Sequence, residues 1–134
     1  MPETSLRPPP YPPRSTLRLQ FNRNFTLDDA VNIVDWSADL GISHFYALPL
    51  LTARAGSMHG YDIVDHQSIN PELGGEPGLR RLVAALRAHG MGLILDIVPN
   101  HMGVGGHDNA WWLDVLEWGR NLTHPLISHK RAKW

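Results

Sequence analysis

The first legible pattern along the chain has a period of two: Leu17, Leu19 and Phe21 alternate with Arg18 and Gln20, which predicts a short strand. The period then lengthens. Thr26 stands where a helix N-cap belongs with Asp29 three residues on, and Leu27, Ala30, Val31, Val34 and Ala38 follow at helical spacing up to Gly41. Residues 42–48 form an apolar and aromatic run ending at Pro49, the pattern of a strand covered on both faces. Residues 50–76 are Gly-rich and read as a long loop, too long for a plain connector. Glu76 and Pro77 then predict the cap and first position of a second helix, with Leu79, Leu82, Val83 and Leu86 inside and Arg80, Arg81 and Arg87 outside. Gly90 closes it, residues 93–98 predict a third buried strand, and Asn109 caps a last short helix over 110–118.

Two segments share one grammar, a helix closed by Gly41 or Gly90, an apolar strand, and a proline at 49 or 99. Such alternation is the mark of parallel βα units, in an α/β barrel or a doubly wound sheet. Before it, residues 1–14 carry six of the eleven prolines and read as a flexible arm, since proline supplies neither ladder donors nor a helix interior.

Composition narrows the classes. Twelve Lys and Arg against thirteen Asp and Glu leave a net charge of −1, which gives no reason to expect nucleic acid or an anionic membrane as partner. No apolar run approaches the ~20 residues of a membrane span. Without cysteine there is no thiolate metal site, disulfide or cysteine nucleophile, and a cytoplasmic location is the default expectation. The 134 residues hold one modest domain, whereas a complete (β/α)8 barrel takes ~250.

In parallel α/β folds chemistry gathers where strands end. His59, Tyr61, Asp62 and Asp65 follow the second strand, and Asp96, Asn100 and His101 end the third. Carboxylates, imidazole, amide and a phenol ring suit a neutral polyhydroxylated ligand. Each also has a structural reading: Asp96 as a loop cap or arginine partner, His101 as a satisfied loop residue, Asp65 and His66 as turn residues, and Trp111 and Trp112 as packing. A metal site from His59, Asp62, Asp96 and His101 is a weaker alternative.

The segments HGYDIVD at 59–65 and INPELG at 69–74 resemble the loop after the second barrel strand in the α-amylase superfamily of glycoside hydrolases. DIVPNH at 96–101 is similar to that superfamily's first signature region, at the end of the third strand. Within the superfamily, STLRLQF at 15–21, PLLTARAGS at 49–57, NHMG at 100–103 and WWLDVLEWG at 111–119 resemble the maltooligosyl trehalose synthases. The resemblance spans residues 15–120 and implies an α/β fold made of the first three βα units of a (β/α)8 TIM barrel, incomplete in this chain.

It further implies an intramolecular transglycosylation that turns the reducing-end α-1,4 linkage of a maltooligosaccharide into an α,α-1,1 linkage, by a retaining mechanism. On that reading Tyr61 stacks on a sugar ring, Asp96 and His101 position the site with His101 bonding the same sugar, Asn100 buttresses the loop, and Asp62 belongs to the same substrate-binding set. The nucleophile and acid of the superfamily follow later strands, so no residue here is assigned to catalysis. No cofactor, calcium or other metal is expected. The basic stretch 121–134 has no counterpart in the resemblance, and a truncated, inactive chain is the expectation, prone to aggregate through uncovered strand edges. Another member of the superfamily, or a non-catalytic glucan-binding module, remains the alternative.

Overall fold

A parallel three-stranded sheet, in the order β1-β2-β5, organises the chain. It is formed by β1 (Thr16–Leu19), β2 (His44–Ala47) and β5 (Gly92–Leu95), with β3 (Leu51–Ala53) and β4 (Ile63–Ile69) paired separately as an antiparallel hairpin. The structure, a computed structural model, describes residues 12–119 and 121. Most of the proline-rich stretch and residues 122–134 of the basic tail therefore lie outside the described residues. Arg14 is not free, because its amide donates to Ser43 Oγ at 2.9 Å.

The helix read as continuous from Leu27 to Ala38 is two: α1 (Leu27–Val31) and α2 (Val34–Asp39). Thr26 and Asp29 form the expected reciprocal cap, Asp29 Oδ2 accepting from the Thr26 amide at 2.8 Å. The break comes at Ile33, whose amide reaches only three residues back, to the Ala30 carbonyl. Past that tighter turn Val34 is buried in the core, and the buried Ser37 hydroxyl donates to the Ile33 carbonyl at 2.7 Å. Gly41, at φ +85°, then turns the chain into β2.

The second long helix, α3 (Gly75–Ala88), starts two residues before the expected first position at Pro77. Gly74, at φ +111°, is its N-cap, so Glu76 is left on the surface to pair with Arg80. Gly78 of α3 sits against Leu27, where a Cβ would stand 3.3 Å away, so α1 and α3 approach closely. The seam is closed outside by Arg81 clasping Asp28 at 2.7 and 2.9 Å. Between sheet and helices lies the core of Phe21, Leu27, Val34, Phe45, Leu82 and Leu86. Phe45 is fully buried, worth about 2–3 kcal/mol of apolar transfer.

Two further expectations needed correction. Residues 50–76 are not a loop, since they hold the β3–β4 hairpin and a 3-10 turn over Pro71–Leu73 capped by Asn70. The third strand is shorter than 93–98 and not covered on both faces: Leu95 and Ile97 are 52% and 68% exposed, and β5 pairs only with β2 among the described residues. The last helix, α4 (Ala110–Trp118), forms as expected, with Asn109 Oδ1 accepting from the Trp112 amide at 2.9 Å. No α4 side chain is buried.

Candidate functional site

The parallel register lays Arg18, Tyr46 and Ile94 side by side across the three strands. Because side chains alternate along a strand, this row shares the sheet face opposite the α1 and α3 core, where Phe45 packs. Asp96 follows two residues after Ile94 and so returns to the same face. Its amide still donates to the Ala47 carbonyl at 2.9 Å, so its backbone is held by the end of β2.

Tyr61 comes to the carboxylate from the hairpin. Its hydroxyl donates to Asp96 Oδ2 at 2.6 Å, and Tyr46 donates to the same oxygen at 3.3 Å. The hydrogen bond to Asp96 pushes the Tyr61 phenol above its usual value, and the nearby Arg18 guanidinium opposes part of that shift. Of the residues expected in the site, Tyr61 and Asp96 are thus joined directly.

His101 stands beside them. Its Nε2 lies 3.1 Å from the Tyr61 carbonyl, and Nδ1 lies 3.1 Å from Asn100 Oδ1. A carbonyl only accepts, so the Tyr61 contact is made by Nε2–H, and a neutral Nδ1 then takes its bond from the Asn100 amide turned to present its NH2. His101 therefore fixes the backbone of the residue whose side chain reaches Asp96. Asn100 and His101 are exposed at the rim of a cleft shared with His66, Met102 and Trp111.

Asp62 is differently placed. Its Oδ1 accepts from Ser57 Oγ at 2.5 Å, which ties the carboxylate into the hairpin turn, while His59 Nδ1, 3.8 Å away, accepts from the Tyr61 amide at 3.0 Å. Asp65 is likewise occupied, by the Ser68 hydroxyl and then the Gln67 amide, which hold its carboxyl below the usual range. No group of three or more His, Asp or Glu side chains that could hold a metal ion gathers among the described residues. No described helix is long and apolar enough to cross a membrane.

The hairpin and the stretch after β5 are laced together. The Gly103 amide donates to the Ile63 carbonyl at 2.7 Å, the Ala55 amide to Asp108 Oδ2 at 3.3 Å, and Arg54 pairs with Asp108 at 3.6 Å. Gly103 is required there, since a Cβ would fall 2.7 Å from the Asp62 carbonyl oxygen. From the other side, Gln20 Nε2 donates to the Met58 carbonyl at 2.7 Å, so the segment after β1 also holds the hairpin.

Sequence reasoning did not single out Tyr46 or Arg18. The apolar run 42–48 hides Tyr46, and only the register with Arg18 reveals which face its hydroxyl takes.

Comparison with known proteins finds three concordant likenesses. Residues 26–121 match the alpha amylase catalytic domain family. A putative maltooligosyl trehalose synthase of Mycobacterium tuberculosis is 53% identical over 120 residues, which cover 85% of this chain and 16% of that protein. The structure of maltooligosyltrehalose synthase from Arthrobacter ramosus superposes with a TM-score of 0.81 at 46% identity, over 83% of this chain and 15% of that one. The chain therefore spans about a sixth of the length of these relatives.

Proposed function

Because this chain belongs to the alpha-amylase catalytic-domain family, we propose that it contributes the first three βα units of a maltooligosyl trehalose synthase barrel and part of its sugar-binding rim. The observation that carries this reading is the junction of Tyr61 and Asp96 at 2.6 Å, where the hairpin meets the strand ends. The phenol ring offers an apolar face to a glucose ring, and the carboxylate can accept from its hydroxyls. His101 and Asn100 complete the rim.

In the reaction proposed, one carboxylate attacks the anomeric carbon at the reducing-end linkage while a second acid protonates the leaving oxygen. The C1 hydroxyl of the released glucose then takes the glycosyl unit from the enzyme, which makes the α,α-1,1 linkage. That outcome requires the glucose to be retained and water kept out. In the superfamily that the chain resembles, the attacking and protonating groups follow later strands of the barrel, and we assign them there rather than to Asp62 or Asp96. On this reading the 134 residues alone perform no glycosyl transfer.

The test is a chimera in which residues 26–121 replace the matching stretch of the Arthrobacter ramosus synthase. Maltopentaose is expected to lose its reducing end without releasing glucose in proportion. A chimera that melts cooperatively yet only hydrolyses the sugar would assign the chain to another branch of the family. One that binds maltopentaose with no turnover would favour a binding module.

A further inference from the structure

Two phenols share one carboxylate oxygen in this structure, and only Tyr61 is accounted for by the reading above. Tyr46 rises from β2 between Arg18 and Ile94, and its hydroxyl donates to Asp96 Oδ2 at 3.3 Å, beside the shorter bond from Tyr61 at 2.6 Å. Both bonds end on Oδ2. A carboxylate held through one oxygen by two donors from different elements has its plane and rotamer fixed, and its second oxygen is the one turned to other partners.

We propose that Tyr46 is a positioning residue: together with Tyr61 it pins Asp96 Oδ2, so that Asp96 Oδ1 and the Tyr61 ring are presented to a sugar in one fixed arrangement. The sugar contact rests on the glucan reading above, whereas the pinning of Asp96 does not. The anchor is stiff, because Tyr46 sits in the central strand and its neighbour Phe45 is fully buried on the other face. Tyr61, by contrast, arrives on the turn of a hairpin. Tyr46 thus supplies a fixed reference on the sheet against which the hairpin side chain is set.

The chain holds three tyrosines, so their labelled 13Cζ resonances can be followed individually. In Tyr46→Phe the carboxylate loses one donor and leans wholly on Tyr61. The Tyr61 resonance is expected to move and its titration to shift further upward. Asp96→Asn is expected to move both the Tyr46 and the Tyr61 signals and to bring the Tyr61 titration down toward that of a free phenol. Maltopentaose binding to Tyr46→Phe is expected to weaken about five- to tenfold. An unmoved Tyr61 signal in Tyr46→Phe would overturn the proposal, and so would a Tyr46 signal indifferent to Asp96→Asn, which decides the matter even if Tyr46→Phe does not fold. Wild-type chain that ignores maltopentaose while both tyrosines answer to Asp96 would remove the glucan reading and leave the positioning role standing.

Discussion

His89 joins the end of α3 to Asp35 of α2: Nε2 lies 2.5 Å from the Asp35 carboxylate while Nδ1 lies 2.9 Å from the Ala85 carbonyl. Both partners only accept. A neutral imidazole has one N–H, so both bonds are made together only by the imidazolium. The Ala85 carbonyl, Asp35 and, at longer range, Asp39 accordingly raise the His89 pKa above its usual value.

The pH consequence has a definite sign. A folded pKa raised above the unfolded one, about 6.5, gives stability that is complete below the unfolded value and lost as pH rises through the folded value. Asp35 is 90% exposed, so solvent screens the pair and the effect is at most about 1 kcal/mol. Wild-type chain should melt higher than His89→Gln near pH 5.5, and the gap should shrink as the pH is raised above 6.5 and through the higher folded pKa. A gap that stays constant across that range would refute the link.

At Gly103 the obstacle is steric. An added Cβ would stand 2.7 Å from the Asp62 carbonyl oxygen and 3.1 Å from Arg54 Cγ, so Gly103→Ala is expected to cost about 1–3 kcal/mol. Gly41→Ala is the contrasting case. Nothing lies within 4 Å there, but φ is +85°, so the cost is backbone strain of about 1–2 kcal/mol. Urea midpoints measure both, and only Gly103→Ala should also weaken maltopentaose binding.

For the rim, Tyr61→Phe keeps the ring but withdraws the shorter of the two bonds to Asp96. A roughly fivefold loss of maltopentaose affinity is expected, with a larger loss for Tyr61→Ala. His101→Ala removes the donor to the Tyr61 carbonyl and should weaken binding as Tyr61→Phe does. Calorimetric titration separates these outcomes, and a Tyr61→Ala variant binding like wild type would remove Tyr61 from the site.

Leu95 and Ile97 lie exposed on and just beyond β5, and Leu116 and Trp118 on α4 are also open to solvent. An unpaired strand edge with apolar neighbours promotes association. Light scattering is expected to rise with chain concentration, and Leu95→Lys with Ile97→Lys should reduce it. A monomer with a sharp, concentration-independent transition would show that this face is harmless.

The sequence disclosed whatever depended on local period and caps. β1 and β2 lie within the segments that alternation and the apolar run marked, β1 ending at Leu19 short of Phe21 and β2 trimmed to His44–Ala47, and the Thr26 and Asn109 caps and α4 stand where expected. It disclosed less where tertiary contacts decide. The three-residue turn at Ile33 interrupts an unbroken apolar spacing that gives no local sign of it. The β4 strand lacks alternation, since Ile63 and Val64 are both buried, Gln67 is exposed and the others are half-covered, so it reads as loop. Tyr61, Asp96 and His101 were legible as chemistry at strand ends, but their mutual contacts, and the part of Tyr46, needed the strand register.

The lacing of the hairpin to the stretch after β5 also bears on how the molecule opens. Gly103 is bonded to Ile63, Ala55 to Asp108 and His101 to Tyr61, across 40 or more residues of sequence. Neither segment keeps these bonds if the other leaves. In hydrogen exchange the amides of Ala55 and Gly103 should therefore lose protection at one common free energy, as a single opening unit distinct from the α1–α3 core.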